Sequence, residues 1–386
     1  MSADNFIFRM TTTVMFGKGI VDQLPAKVQE FKKERVLIVT DKGVRQAGLL
    51  APIEKSLVDA GLHVAVFDDV EPDPGLDTIH RGAAFFKERQ GDFLVALGGG
   101  SPMDTAKGIR ILADNGGNIR DYAGLNKVPG RSSIPLVTIP TTSGTGSEVT
   151  IFAVLSDWEQ NVKITISSPY LAAELAIVDP LLTLSAPPRI TAATGIDALA
   201  HAIETYVSNL AQPPADALAL RAIEVIGANL RAAVANGSKP EPRAEMSLGS
   251  LLAGMAFNNG FLGITHSLGA ALSGHAHVSH GIAIASLLPY VMEYNAMANL
   301  EKHWDIALAL GEEVEGLSVR DGAFAAAEAV RNLVEDINLP SRLRELGVKE
   351  GDLAGMAKSA IGHGMVKMNP RQPNEAELLA ILKKAL

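Results

Sequence analysis

Asp197 and His201 lie four residues apart in an apolar stretch, a spacing that puts both side chains on one face of a helix, where they could share a metal ion. Four more imidazoles follow within fifteen residues: His266, His275, His277 and His280. The chain has no cysteine, so its metal ligands must be histidine nitrogens and carboxylate oxygens. One carboxylate with three imidazoles suits Fe²⁺ or Zn²⁺ and leaves a coordination position open to a substrate.

The separation of His266 and His280 limits how they could share one ion. They are 14 residues apart, which corresponds to about 21 Å along an uninterrupted helix. If both are ligands, the chain must turn between them, and we expect the turn at Gly274 and the polar residues after it. The alternative is that Asp197 forms a capping box with Thr194 and that the histidines are solvated. The spacing of the two groups favours the metal site.

Three glycines, Gly98, Gly99 and Gly100, end an apolar run and are followed by Ser101 and a helical pattern. Glycine lets the backbone approach a phosphate closely, and the N–H groups at a helix start favour an anion. The segment is neither GxGxxG nor GxxxxGK[ST], so it predicts neither an ordinary Rossmann site nor a P-loop. One glycine would be enough for a tight turn, and three favour a phosphate site.

A second polar segment, TTSGTGSE (141–148), also follows an apolar run and carries five hydroxyls and two glycines in eight residues. Parallel strands bind ligands at their carboxyl ends, so we expect this segment and the glycine segment to face one crevice. A Ser/Thr-rich surface loop could explain either segment alone, but explains both together less well.

Asp41 ends the run VLIVTD (36–41). A carboxylate in this place can accept a hydrogen bond from a ribose 2′-OH and would repel a 2′-phosphate, which favours NAD over NADP. The acid precedes the glycine segment, the reverse of the Rossmann order, and Asp after a strand is also a common helix cap.

Five short apolar runs alternate with helix-length segments in the first half of the chain. The runs are 36–41, 64–69, 93–100, 136–142 and 175–180. Runs that are apolar on both faces, with helices between them, predict a parallel sheet covered on both sides. Residues 151–157 and 161–167 predict a hairpin.

From Ser185 onward the strand patterns stop, and Ala- and Leu-rich segments with a period near 3.6 predict almost only helices. The proline-rich segment 179–188 is the expected hinge. We therefore expect an α/β dinucleotide-binding domain over 1–184 and an all-α, metal-binding catalytic domain over 185–386.

The chain has 386 residues, a formal net charge of −9 and 47% hydrophobic residues. This composition excludes a strongly basic protein that coats nucleic acid, and it excludes a disordered chain. Neither a signal peptide nor an apolar run of membrane-spanning length is found. We expect a cytoplasmic protein with neither a nucleic acid nor a membrane as its partner.

Segments from one end of the chain to the other, in conserved order and spacing, resemble the iron-containing (group III) alcohol dehydrogenases. They are FGKGIVDQLP (16–25), VTDKG (39–43), LGGGSPMDTAKG (97–108), TIPTTSGTGSEVT (138–150), ATGIDALAHAIETYVS (193–208), MAFNN (255–259), HVSHGIAIASLLPYVMEYN (277–295) and NPRQPNEAELLAILKKAL (369–386). The resemblance implies a dehydroquinate-synthase-like fold, with an α/β nucleotide domain and a helical domain, in a homodimer or higher homo-oligomer.

By position, the family's four metal ligands fall on Asp197, His201, His266 and His280. The implied metal is Fe²⁺, with Zn²⁺ or another divalent ion as alternatives. The implied second cofactor is NAD, its pyrophosphate on the glycine segment and its adenosine ribose on Asp41. The full set of expected cofactor residues is Asp41, Gly98, Gly99, Gly100, Ser101, Asp104, Thr141, Thr142, Thr145 and Lys163.

One position departs from the family pattern. Many members have another histidine four residues after the first ligand of the second group, where this chain has Ala270. His277 is the available substitute as a catalytic residue that moves a proton. The family architecture also implies that Phe152 and Phe257 line the substrate pocket, although core packing is the usual role of a phenylalanine.

These residues predict a metal-dependent oxidoreductase that transfers a hydride between a small primary alcohol, or its aldehyde, and NAD(H). A pocket with apolar walls would favour short mono-alcohols over diols, because a buried hydroxyl without a partner costs about 1–3 kcal/mol. The nearer alternative is a zinc-dependent glycerol or polyol dehydrogenase of the same fold. The more distant one is a metal-dependent hydrolase or metal-binding protein without redox chemistry.

Overall fold

The structure is a computed structural model that describes residues 5–160 and 162–386. It divides the chain into two compact units, residues 10–185 and residues 186–386, the second of which also includes residues 5–9. The division falls inside the proline-rich segment 179–188. Residues 5–9 thus join the helical unit, although we expected them in the first domain.

The described residues of the α/β unit form nine strands. They are β1 (Thr13–Phe16), β2 (Arg35–Val39), β3 (His63–Phe67), β4 (Phe93–Gly98), β5 (Gly124–Leu125), β6 (Leu136–Pro140), β7 (Phe152–Asp157), β8 (Val162–Ser167) and β9 (Leu175–Val178). Six of them form a parallel sheet in the order β3-β2-β4-β6-β9-β1. The five predicted runs are all in this sheet, whereas β1 was not predicted.

Helices cover both faces of this sheet. They are α1 (Leu24–Glu30), α2 (Lys42–Gln46), α3 (Leu50–Asp59), α4 (Leu76–Glu88) and α5 (Gly100–Asn115). Successive side chains of a strand point to opposite faces, so Val36 and Ile38 pack with α1 and α3, while Leu37 and Val39 pack with α4 and α5. The prediction of a parallel sheet buried on both sides is confirmed.

The remaining three strands form a small sheet in the order β5-β8-β7. Strands β7 and β8 pair in an antiparallel register from Phe152 opposite Ser167 to Asp157 opposite Val162, as the predicted hairpin requires. Asn161, which the prediction included, lies outside the described residues. Strand β5 has only two residues and was not predicted.

The second unit is helical, and its described residues contain no strand. Its helices are α6 (Pro188–Val207), α7 (Pro213–Ala235), α8 (Pro240–Gly260), α9 (Ile264–Ala276), α10 (His280–Ala296), α11 (Leu300–Ala309), α12 (Val319–Asp336), α13 (Leu353–Ile361) and α14 (Glu375–Ala385). Helix α6 packs against α7, α8 and α10 and is buried over most of its length. A helix buried all round is the core of its unit, and α6 carries Asp197 and His201.

Within the described part of the chain, no helix combines the length and the apolar character that crossing a bilayer requires.

Candidate metal centre and nucleotide loops

Three helices of the second unit bring four side chains together around one carboxylate oxygen. Asp197 and His201 project from one face of α6, with His201 Nε2 3.7 Å from Asp197 Oδ1. Helix α9 places His266 Nε2 3.5 Å from the same oxygen, and the first residue of α10, His280, places its Nε2 3.6 Å from it. Asp197 and Thr194 both lie inside α6, so the capping-box alternative does not hold.

The distances from Asp197 Oδ1 to the three imidazole nitrogens are longer than hydrogen bonds, and the ligand atoms of Asp197, His201 and His266 all lie within 4.8 Å of one another. Separations of 3.5–3.7 Å exceed the usual hydrogen-bond range of about 2.7–3.2 Å. Tetrahedral ligands about 2.1 Å from one ion would lie about 3.4 Å apart. Asp197 Oδ1 and His266 Nε2 are buried and have no hydrogen-bond partner within residues 5–160 and 162–386. The cluster fits a divalent cation.

The electrostatics of the cluster also favour a cation. Burial raises the pKa of Asp197, but the neighbouring imidazoles of His201, His266 and His280 outweigh it and bring that pKa below its ordinary value. Burial lowers the pKa of His266, and the carboxylates of Glu204 and Asp197 outweigh it and raise that pKa to about 9. The carboxylates that attract a proton to His266 would attract a divalent ion to the same position.

Glu204 orients His266 from behind. His266 Nδ1 donates to Glu204 Oε2 at 2.5 Å, and the backbone N–H of Thr265 donates to Glu204 Oε1 at 2.6 Å. Because Nδ1 is occupied, Nε2 is the nitrogen that faces Asp197, and a carboxylate in this place fixes the ring and raises its basicity. We did not predict Glu204 from the sequence, although its spacing from Asp197 and His201 places it on the same face of α6.

The turn between His266 and His280 lies at the end of α9. Helix α9 continues through Gly274 to Ala276, and the chain leaves it at His277, which has a left-handed φ of 52°. The chain turns among the polar residues after Gly274, as predicted, whereas Gly274 itself lies inside α9. A Cβ on Gly281, just after His280, would overlap the backbone oxygen of Ala193, so glycine lets α10 approach α6 closely.

The other predicted residues of this unit differ in their surroundings. The Phe257 ring stacks on the His201 ring, with centroids 4.6 Å apart and an angle of 30° between the planes. Phe257 is buried, so it forms an apolar wall beside a candidate ligand. His277 is exposed, and Ala270 lies one turn beyond His266 in α9. A catalytic role for His277 stays a prediction.

The two polar segments of the α/β unit lie side by side, because β4 and β6 are neighbours in the sheet. The backbone N–H of Thr141 donates to the Gly98 carbonyl at 2.9 Å. A Cβ on Gly99 would lie 3.2 Å from Thr142 Oγ1, and one on Gly100 2.8 Å from Thr145 Cγ2. The segments are thus packed against each other at the N-terminus of α5, where backbone N–H groups can bind an anion.

Asp41 lies beside this place, at the end of β2. Its Oδ1 accepts a hydrogen bond from the backbone N–H of Val44 at 2.9 Å, so it caps α2. Its Oδ2 would lie 3.4 Å from a Cβ on Gly98, so the carboxylate also borders the glycine segment. Asp41 therefore caps α2 and also lies beside the glycine segment.

Three further residues predicted from the sequence lie in the α/β unit, two of them in polar contacts. Asp104 accepts from Ser147 Oγ at 2.6 Å and from the backbone N–H of Val154 at 2.9 Å. Lys163 forms an ion pair of 2.6 Å with Asp73. Phe152 is half-buried at the start of β7. Contact of these residues with a cofactor or substrate stays a prediction.

A parallel α/β unit with two adjacent glycine-containing loops, and a helical unit in which Asp197 lies close to three histidines, are the features expected of a metal-dependent dehydrogenase that uses a dinucleotide. Residues 11–180 match the family Iron-containing alcohol dehydrogenase, and residues 191–386 match Fe-containing alcohol dehydrogenase family, C-terminal. The chain belongs to the iron-containing alcohol dehydrogenase family, which confirms the resemblance seen in the sequence.

Similar proteins agree over the whole chain. A protein of Klebsiella pneumoniae named 1,3-propanediol dehydrogenase is 43% identical, with all of both chains covered. The NAD-dependent methanol dehydrogenase of Bacillus methanolicus is 40% identical over 96% of this chain and 97% of that protein. A crystal structure of 1,3-propanediol oxidoreductase superimposes with a TM-score of 0.97 at 43% identity, covering 99% of this chain and 100% of the other.

The prediction of a metal-dependent, NAD-dependent alcohol dehydrogenase is thereby confirmed, and the two alternatives without redox chemistry are disfavoured.

Proposed function

We propose that this protein oxidises small primary alcohols, or reduces their aldehydes, with NAD(H) and an Fe²⁺ ion held by Asp197, His201, His266 and His280. The observation that supports this most directly is the placement of three imidazole Nε2 atoms at 3.5–3.7 Å from one Asp197 oxygen. Fe²⁺ is proposed because the family is named for iron, and nitrogen and carboxylate ligands suit it.

The proposed roles of the other residues concern the orientation of a ligand, the exclusion of water and the binding of NAD(H). When bound, the metal ion would supply Lewis acidity toward an alcohol oxygen, and NAD⁺ would supply the acceptor for a hydride. Glu204 holds the ring of His266 in one orientation, and Phe257 excludes water from one side of His201. The Gly98–Ser101 loop and the start of α5 bind the pyrophosphate, while Asp41 accepts from the adenosine ribose.

The proposed substrates are short mono-alcohols. The apolar ring of Phe257 beside His201 supports an apolar wall next to the reacting position. Two of the relatives are named for 1,3-propanediol and for methanol, and these two names agree on a small primary alcohol but not on a second hydroxyl. A cytoplasmic location, a homo-oligomer and proton transfer by His277 stay predictions from the sequence.

The test is reconstitution of metal-free protein under anaerobic conditions, followed by NADH absorbance with 1-propanol. Turnover with Fe²⁺, and its loss with a chelator, is the expected result. Activity that needs Zn²⁺ and is faster on glycerol would support the zinc-dependent polyol dehydrogenase. A protein that binds metal but neither binds nor reduces NAD⁺ would contradict the proposal.

A further inference from the structure

Lys107 is a charged side chain that is completely buried in the α/β unit, with 0% exposure. It lies on α5, the helix that begins at the glycine segment. Burial lowers the pKa of Lys107 to about 8, against the opposing effect of Asp104 and Glu148. Burying an ammonium group costs free energy unless all of its hydrogens form hydrogen bonds. The hydrogen-bond partners of Lys107 therefore indicate its structural role.

The ammonium group of Lys107 binds one short segment of chain. It donates to the carbonyl of Phe152 at 2.7 Å, to the carbonyl of Ser147 at 2.8 Å and to Ser147 Oγ at 2.8 Å. Thr150 Oγ1, at 3.3 Å, is a weaker fourth partner. All of these atoms belong to the chain that ends the second polar segment and enters β7.

Asp104, one turn earlier on α5, holds the same segment. It accepts from Ser147 Oγ and from the backbone N–H of Val154, while its Oδ1 lies 3.8 Å from Lys107 Nζ. Ser147 Oγ therefore accepts from the lysine and donates to the aspartate. Two oppositely charged residues of α5 thus attach residues 147–154 to the helix at several successive points.

We propose that Lys107 is a positioning residue for NAD(H), which sets the second polar segment (141–148) against the glycine segment so that both contact one dinucleotide. The inference rests on the proposed function, because it takes these two segments as the cofactor site. The glycine segment and Asp41 would bind the ADP part of NAD without this attachment. The second segment, which we expect along the rest of the cofactor, depends on it.

The test compares the binding of NADH and of ADP to Lys107→Met. Methionine fills similar space but leaves the carbonyls of Ser147 and Phe152 without their donor. We expect the Kd for NADH to rise about tenfold, which corresponds to about 1.4 kcal/mol, and the Kd for ADP to change less than about threefold. In turnover, KM for NAD⁺ should rise while KM for the alcohol stays the same.

Arg110→Met is the matched control. Arg110 is also buried on α5, at 2% exposure, but it binds away from the second segment, to the Ala172 carbonyl at 3.0 Å and Glu174 at 2.7 Å. Its loss should lower the melting temperature and leave both dissociation constants unchanged. Loss of NADH affinity in both variants would assign Lys107 a merely structural role.

Ser147→Ala is the second variant, in case Lys107→Met does not fold. It removes the hydroxyl that links Lys107 to Asp104 by hydrogen bonds. We expect it to weaken the binding of NADH without weakening the binding of ADP. Equal NADH affinity in wild type and in the folded variants would overturn the inference and leave the proposed function intact. Wild-type protein that binds neither nucleotide would instead contradict the proposed function.

Discussion

Nδ1 of His266 lies 2.5 Å from Oε2 of Glu204, and both side chains are buried in the helical unit. A charge-assisted hydrogen bond of this length fixes the ring and leaves Nε2 as the ligand atom. Substitution of Glu204 by Gln keeps the shape but removes the charge. We expect metal affinity to fall about 10- to 100-fold in a competition titration with a chelator. Glu328→Gln, an exposed change in the same unit, is the control, and equal affinity in all three proteins would contradict the role of Glu204.

His266→Ala and His280→Ala should each lose bound metal and turnover while ADP and NADH still bind. His266 is buried against Glu204, so its loss also leaves a buried carboxylate without its partner. We therefore expect a larger drop in melting temperature for His266→Ala. His275→Ala, a change on the same helix at a residue bonded to Ser359, should retain the metal. Metal analysis after desalting measures this, and full metal content in either ligand variant would refute the assignment.

Asp41→Asn should raise the use of NADPH. The substitution removes the carboxylate charge, and repulsion between like charges about 4 Å apart is worth several kcal/mol at intermediate dielectric. Asparagine can still accept from the Val44 N–H, so the cap on α2 is kept, whereas glycine would lose that side-chain bond. The ratio of kcat/KM for NADPH to that for NADH should rise at least about tenfold. If wild type already uses both equally, Asp41 does not face the ribose.

Glu148→Gln should stabilise the protein at alkaline pH and not at acidic pH. Burial raises the pKa of Glu148 from its ordinary 4.5 to about 7. The folded state then holds the proton more tightly than the unfolded state, so stability is fully present below pH 4.5 and falls as the pH rises through 7. The melting temperature of the variant should exceed that of wild type by a few degrees at pH 8.5, and the gap should shrink toward pH 5.5. A gap independent of pH would contradict this assignment.

The apolar wall at Phe257 predicts a ranking of substrates. With metal-loaded enzyme, kcat/KM for 1-propanol should exceed that for 1,2-propanediol and for glycerol by about tenfold, because a hydroxyl left without a partner costs about 1–3 kcal/mol. A separate assay with 1,3-propanediol tests whether the pocket forms a hydrogen bond with a hydroxyl at the far end of the substrate. A diol that reacts tenfold faster than 1-propanol would show that the pocket is polar.

The central sheet could be predicted because strands that are buried on both faces have continuous apolar sequences, such as FLVALG in β4. Strand β1 has four residues, and its apolar stretch of Val14, Met15 and Phe16 is too short to be distinguished from a loop. Asp197 and His201 could be predicted because both lie on one helix. Their distances to His266 and His280 could not, since these depend on how three helices pack.

Glu204 shows another limit of the sequence. Its place in α6 puts it on the ligand face, but a glutamate on a helix is usually solvated, and only packing shows that it is buried. The turn at His277 is similar. Glycine is the usual residue for a left-handed backbone, so Gly274 was expected to take part in the turn, yet α9 continues beyond it and His277 adopts the left-handed conformation.

The close approach of Gly281 to the backbone of Ala193 fixes the distance between α6 and α10 near the proposed ligands. Ala193 lies one turn before Asp197 and Gly281 directly follows His280, so the spacing of α6 and α10 at this point sets the gap between two ligands. A methyl group at position 281 would wedge the helices apart and widen that gap. We therefore expect the spacing of two proposed ligands, Asp197 and His280, to depend on a residue that has no side chain.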